Sequence, residues 1–298
     1  LSAHSDRPLK GILLVNAFLG LEKFKILYER LKKAADKRDM ELDIMTNAAP
    51  ELILPGGIDE IVTDFDFCIF WDKDVRLGRC LERAGLRLFN EADAIALCDD
   101  KADTYLTLSA QYISQPLSVP LPFTYDNLGY EDVSFFDKTG ELLGYPLVIK
   151  ECCGSFGAQV YLAQDLSQAR EILKKYGRRP LIAQRFIKEA AGRDLRLNMV
   201  GDKCVAAMMR INDNDFRANI SNGGSGRAYE PTDEEVTLAK RCMEILHLDF
   251  AGVDILQSDE GPLLCEVNSN PQFVSTYECT GVDLGVEIMD HIMRELSS

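Results

Sequence analysis

Three oxygen-bearing side chains in the last third of the chain, Asp254, Glu266 and Asn268, have the types and spacing of a metal site. They lie in two apolar runs, DFAGVDIL and PLLCEVN, separated by QSDEG, which reads as a hairpin. A hairpin centred near residue 260 sets Asp254 opposite Glu266. Side chains alternate along a strand, so Glu266 and Asn268 share a face that Asp254 joins. Two carboxylates and an amide oxygen make hard oxygen ligation, suited to Mg²⁺ or Mn²⁺ with phosphate oxygens completing the shell. The plainer reading turns these residues to solvent. It fits poorly with neighbours as apolar as AGV-Asp-IL and LLC-Glu-V, because burying carboxylates without partners is costly.

A phosphate-binding element is readable further upstream. Lys150 ends the run LVIK directly before CCGSFGAQV, where Gly154 and Gly157 let backbone N–H groups approach an anion. The spacing is not that of a Walker loop, and a lysine snorkelling at a strand end is the alternative. Lys101, beside Asp99 and Asp100, reads on its own as a surface charge at a helix start. Arg210 closes an apolar strand and Arg217 follows in DFRANISNGGSG, positions that suit an anionic intermediate or a structural ion pair. Gly223, Gly224 and Gly226 make the loop behind them able to move or to approach a ligand closely.

The elements that must position these residues follow from periodicity. Residues 10–15, KGILLV, read as a buried strand, and residues 21–35 place Leu21, Phe24, Leu27, Tyr28, Leu31 and Ala35 at helical spacing. An apolar run at 65–71, a helix over 77–84 and a short strand at 86–89 continue the alternation of a small parallel α/β domain ending near residue 97. A helix starts near Asp99 or Asp100. The Pro-rich SQPLSVPLPFTYDN is extended, LVIK is a strand, residues 167–176 are helical and PLIAQRFI is a strand. RLNMVGDKCVAAMMRI reads as two strands about Gly201-Asp202. Thr232 and Glu235 form a capping box for a helix reaching about His247, and a last helix runs over about 284–296.

Composition bounds the function. The chain has 298 residues, 46% hydrophobic and 27% charged, enough for two compact domains with packed cores. Its net charge of -15 argues against a nucleic-acid or anionic-membrane binder. No apolar run reaches the roughly 20 residues that span a bilayer. The beginning, LSAHSDRPLKG, has no signal-peptide core and no initiator Met, so a trimmed start is expected. The nine cysteines, Cys152-Cys153 included, read as reduced and structural, which implies a cytoplasmic protein.

Taken in order, the words NEADAIALCDDK, GYPLVIK followed by GSFG, QRFIKEAAGRDLR, GDKCVAAMMR, DFRANISNGG, FAGVDIL and CEVNSNP resemble the ATP-grasp superfamily. Within it they are most similar to the RimK-like alpha-L-glutamate ligases, carboxylate–amine ligases that add glutamate or related amino acids to a carboxyl end. The resemblance covers about residues 90–293; the first ninety share only a layout. It implies an α/β fold of α+β ATP-grasp type, with a small N-terminal parallel α/β domain (1–97), a central lid subdomain (98–190) and a metal and substrate subdomain (191–298), the last two clasping ATP. Lys101 and Lys150 would contact the ATP phosphates, with Gly154, Ser155 and Gly157 in the loop over them. Gln184, Arg185, Phe186 and Ile187 would form the hinge beside adenine, and Asp194 would hold the ribose. Arg210, Arg217 and Asn219 would line the phosphate-transfer site, the two arginines being the catalytic pair. Asp254, Glu266 and Asn268 would hold two divalent ions. The chain departs from the family pattern at Arg185, usually acidic, in the cysteines before the glycine loop, and in NSNPQFVSTYECTG after the metal ligands.

The resemblance thus implies ATP- and Mg-dependent amide formation through an acylphosphate, joining a small-molecule or peptide carboxylate to an amino-acid amine. A kinase on the same fold, or a non-catalytic nucleotide-binding regulator, are the alternatives. Homo-oligomerisation is left open.

Overall fold

The computed structural model describes residues 7–53, 56–154 and 157–297. Ser155 of the expected phosphate loop lies outside them. Among the described residues no helix is long and apolar enough to cross a membrane.

The first layer is a parallel sheet. Strands β1 (Lys10–Val15), β2 (Glu41–Thr46), β3 (Phe67–Trp71) and β4 (Arg87–Phe89) are ordered β2-β1-β3-β4. Helices α1 (Glu22–Asp36), α2 (Pro50–Ile53), α3 (Gly57–Asp64) and α4 (Val75–Ala84) make the crossovers. Both faces are covered, as parallel sheets require. On β1, Ile12 and Leu14 point into one core with Phe70, Leu81 and Leu88. Leu13 and Val15 point into another with Leu27, Leu31 and Trp71. That two-sided burial explains why KGILLV is apolar without alternation. Strand β2, ELDIMT, was not apparent in the sequence because only Leu42 on it is fully buried.

Helix α5 (Ala92–Asp99) leads out of this layer into α6 (Lys101–Ser109). Asp100 caps α6, its carboxylate accepting from the N–H groups of Ala102 and Asp103. A second sheet, ordered β5-β8-β6-β7 and fully antiparallel, comprises β5 (Ser118–Pro120), β6 (Leu147–Glu151), β7 (Val160–Ala163) and β8 (Leu181–Arg185). Helices α7 (Phe136–Leu143) and α8 (Leu166–Tyr176) cover one face, burying Leu147, Ile149, Leu181 and Ala183. Alternation then turns Val148, Lys150 and Gln184 to the other face, towards a cleft.

The third sheet is antiparallel, ordered β11-β10-β9-β12-β13. Its strands are β9 (Arg193–Val200), β10 (Lys203–Ile211), β11 (Ser225–Ala228), β12 (Phe250–Ser258) and β13 (Gly261–Asn268). Helix α9 (Asp233–Leu246) carries the expected capping box, with Thr232 and Glu235 exchanging bonds, and His247 closes it at φ 53°. Leu195, Leu197, Met199, Val253 and Ile255 pack on it. The opposite face is graded along its length: Val200 and Phe250 join the core under α1, Asn198 and Gly252 follow, and Asp194, Arg196, Arg210 and Asp254 end it. The last helices are α10 (Val274–Thr280) and α11 (Leu284–Ser297); α11 returns to pack on α1, with Arg38 paired to Asp290.

Candidate active site

The charged face of the third sheet is written in RDLRLN, where polar and apolar residues alternate. Asp194 pairs across the strands with Arg210, Arg196 with Asp254, and Asp254 with Glu266. Arg210 donates to both Asp194 oxygens, at 2.5 and 2.7 Å, and reaches Asp254 Oδ2 at 2.8 Å. Arg196 grips Asp254 from the other side with Nε on Oδ1 and Nη2 on Oδ2. Arg196, Arg210 and Asp254 are buried, and the Asp194 side chain is 10% exposed. Burial opposes ionisation of Asp254, but the two guanidinium groups outweigh it and hold the carboxyl below its usual range. Burial likewise works against Arg210, and Asp254 and Asp194 overcome it, raising its pKa. Asp194 is raised, chiefly by burial, against the pull of Arg210.

The hairpin places Asp254 opposite Glu266, as the sequence suggests, though by a different route. Ser258 pairs with Gly261 across a turn at Asp259-Glu260, a register that on its own would set Asp254 opposite Cys265. A bulge at Cys265 shifts the pairing by one. Without it Glu266 would lie on the face of Val253, inside the core; the bulge turns it outward, the usual service of bulges beside functional sites. Asn268, opposite Gly252, donates weakly towards Asp254 Oδ2 at 3.4 Å.

Facing this sheet is the second sheet, and an open cleft lies between them. Lys101, Lys150, Gly154, Gly157, Gln184, Arg185, Phe186, Ile187, Asp194, Arg210, Arg217, Asn219, Asp254 and Glu266 all line it, whereas Asn268 does not. The surface reading of Lys101 is thereby corrected: its side chain is mostly buried and bridges Gly154 O at 3.2 Å and Glu266 Oε1 at 3.5 Å. Lys150 is buried, and its one hydrogen-bond neighbour among the described residues is Cys265 Sγ at 4.0 Å. A buried ammonium without a carboxylate is costly unless an anion joins it. Strand β6 runs one residue beyond Lys150, so the lysine lies within the strand rather than at its end.

Gly157 has φ 69°, and its carbonyl accepts from Arg217 Nη1 at 2.7 Å, tying the glycine loop to the segment 215–219. Arg217 is also held by Asp215, whose hydrogen bond raises its pKa. At the hinge, the Gln184 amide donates to Ser118 Oγ at 2.8 Å, and Arg185 is exposed. Among the described residues the N–H groups of Phe186 and Ile187 have no partner, so the hinge offers backbone donors whatever residue stands at 185. Val148, Val160, Phe216 and Leu256 form the apolar end beside it.

Sequence reasoning missed Arg196, Asn198 and Asn90. The alternation of DLRLNM was the available signal for the first two. Asn90 is fully buried and spends both ends of its amide: Oδ1 accepts from Asp249 and Phe250, and Nδ2 donates to Phe250 O and Ser269 O. It thereby fixes the loop that follows Asn268. Gly252 is required because a Cβ there would sit 2.9 Å from the Arg196 side chain. Cys152 is buried, with its thiol pushed up to about 12 by burial, and Cys153 is exposed; all nine cysteines are free. Among the described residues no group of three or more His, Cys, Asp and Glu gathers as a metal site. The oxygen set here is two carboxylates and an amide. Among the described residues Glu266 meets only Lys101, while Asp254 has two arginines on it, so of the two carboxylates Glu266 is the freer to meet a divalent ion.

Known proteins resemble this chain in fold and in sequence. D-alanine–D-alanine ligase from Bacillus anthracis superposes with a TM-score of 0.74 over 97% of both chains at 18% identity. A RimK domain ATP-grasp protein from Sphaerobacter thermophilus gives 0.70 over 95% of this chain and 98% of that one at 20% identity. These likenesses establish the ATP-grasp fold. In sequence, the chain is 33% identical to human N-acetylaspartylglutamate synthase A over 76% of its own length, and spans 57% of that protein. It is 31% identical to a probable alpha-L-glutamate ligase of Histophilus somni over 90% of this chain and 94% of the relative. The profile of the RimK-like ATP-grasp domain matches residues 98–292, the stretch that carries every cleft residue described above. The chain belongs to the RimK-like ATP-grasp family.

Proposed function

We propose that the chain is an ATP- and divalent-metal-dependent, ADP-forming ligase that joins a carboxylate to the amine of an amino acid. The observation that carries this is the gathering of Lys101, Lys150 and Arg210 with Glu266 in one cleft, where a buried lysine has no carboxylate of its own. The relatives named for glutamate ligation or glutamyl products support glutamate as one substrate. In this reading residues 98–190 and 191–298 close on the nucleotide from opposite sides, and residues 1–97 support the second of them.

A carboxylate resists attack by an amine because oxide would have to leave. Transfer of the γ-phosphoryl group to a carboxylate oxygen gives an acylphosphate. The amine nitrogen then bonds to the acyl carbon, the carbon–oxygen bond to phosphate breaks, and the amine proton passes to solvent or a base. No covalent enzyme nucleophile is needed, so the protein acts by positioning and charge stabilisation. Lys150 and Lys101 hold phosphate oxygens. Arg210, fixed in place by Asp194 and Asp254, presents a preorganised cation to the acylphosphate and the tetrahedral intermediate. Arg217 and Asn219 brace the glycine loop that excludes water. Glu266 and Asn268, with Asp254, would hold Mg²⁺ or Mn²⁺, which supplies charge neutralisation to the phosphates.

The test is phosphate release from ATP with L-glutamate and a panel of N-acyl amino acids and di- and tricarboxylic acids, products being identified by mass spectrometry. An amide product with ADP and phosphate in equal amounts is expected. A stable phosphoester would replace this reading with a kinase, and tight ATP binding without turnover would replace it with a regulator.

A further inference from the structure

A second cluster of buried polar groups lies outside the residues that line the cleft. Strands β1 and β3 are neighbours whose outgoing connections run to opposite sides, β1 to β2 and β3 to β4. The carboxyl ends of such a pair leave a crevice where open parallel sheets bind ligands. Asn16 follows β1 there and Asp72 follows β3.

Asp72 is 6% exposed. Among the described residues its oxygens accept from neutral donors: the N–H groups of Lys73, at 2.6 Å, and of Asp74, and Asn16 Nδ2 at 3.2 and 3.4 Å. Among the described residues no lysine, arginine or histidine nitrogen lies within 4 Å of them. The other buried aspartates are salvaged: Asp249 by Arg87 and His291, Asp254 by Arg196 and Arg210. Two polar atoms beside Asp72 are buried without partners. One is the hydroxyl of Tyr28, which is 7% exposed and feels the charge of Asp72. The other is Asn270 Oδ1, whose amide nitrogen donates to the Asp72 carbonyl at 3.0 Å and so fixes which end faces away.

A carboxylate, an amide oxygen and a hydroxyl are the complement of an alkylammonium group, which has three N–H donors and no acceptor. The cluster also lies close to the cleft. Asn270 is four residues beyond Glu266, which lines it, so the two are at most about 14 Å apart. Building on the ligase reading, we propose that Asp72, Tyr28 and Asn270 form a subsite for the primary ammonium group of an amino-acid substrate.

Isothermal titration of the protein saturated with Mg–AMPPNP tests this, using each common amino acid against its N-acetyl derivative. At least one free amino acid is expected to bind at least about tenfold more tightly than its acetylated form, the value of a charged hydrogen bond. Asp72→Asn should remove that preference and leave AMPPNP affinity within about twofold, and Tyr28→Phe should weaken the same amino acid by about threefold. Equal binding of free and acetylated forms, or unchanged discrimination in Asp72→Asn, overturns the subsite. KM values in the ligation assay assign the ammonium: a rise in Asp72→Asn confined to the amine substrate or to an amino-bearing carboxylate substrate names its source, and no rise for either counts against the proposal. Discrimination without turnover for any pair would sink the ligase reading alone, whereas turnover with wild-type KM values in Asp72→Asn would sink the subsite alone.

Discussion

At the scale of single residues the site is a set of buried charges, some balanced and some not. Asp254 is balanced twice over. Arg196→Ala removes its bidentate partner while Arg210 remains. It should therefore cost about 3 kcal/mol, the lower end for breaking a buried pair, measured by urea unfolding. Lys150 is unbalanced. Lys150→Met should lower ATP affinity by about 10–100-fold, the worth of a charged hydrogen bond, yet raise the melting temperature of the nucleotide-free protein. A melting temperature that falls as affinity falls would mean the lysine is structural. Asp72 is unbalanced in the same sense, and burial raises its pKa. A raised folded pKa gives a contribution that is complete below the unfolded value and lost as pH rises through the folded one. Asp72→Asn should therefore be more stable than wild type at neutral pH, with the gap closing below about pH 4, as followed by thermal melts across pH. Residue types in order were enough to single out Lys150, Arg210 and Glu266, which line one cleft. Arg196 was missed because an arginine inside an apolar strand looks structural until its partner strand is known, and Lys101 was misjudged because its burial depends on Gly154 and Glu266, distant in sequence.

At the scale of elements, strands and caps decide where these charges point. The face of β9 was legible in the alternation of DLRLNM, and the capping box of α9 in Thr232 and Glu235. The bulge at Cys265 was not, because a register shift leaves no mark in local composition; the sequence-based pairing of Asp254 with Glu266 is right only because the shift exists. Elements α7 and α10 and strand β2 were also hidden, being short or mostly exposed. Helix α6 shows how an element serves the site. Asp100 caps it one residue before Lys101. Asp100→Ala should cost about 1 kcal/mol in chemical denaturation, as lost caps do, and raise KM for ATP. Thr232→Ala should cost about as much with KM unchanged, since α9 lies behind the third sheet.

At the scale of the whole molecule, the cores cross the boundaries that sequence suggests. One core joins Trp71, Leu27 and Leu31 of the first ninety residues with Val200, Phe250, Phe273 and the inner face of α11. Trp71 stacks on Phe250 at 5.3 Å and meets Phe273 edge-on. Removing residues 1–97 would strip the cover from these aromatics and from Asn90's contacts at Ser269, although the family match begins at residue 98. A fragment of residues 98–298 should thus show no cooperative unfolding transition by calorimetry, and a sharp one would mean the two parts are independent. The N-terminal layer was readable as a parallel α/β unit because its strands are apolar on both faces. Its role in holding the loop after Asn268 was not, since Asn90 and Ser269 are 179 positions apart.

In the proposed mechanism a carboxylate is activated by phosphorylation before an amine attacks it. Ligation with a substrate whose carboxylate carries ¹⁸O tests this most directly, with the released phosphate weighed by mass spectrometry. One ¹⁸O atom should pass from the carboxylate to inorganic phosphate in each turnover that forms an amide. Unlabelled phosphate accompanying amide formation would rule out an acylphosphate intermediate.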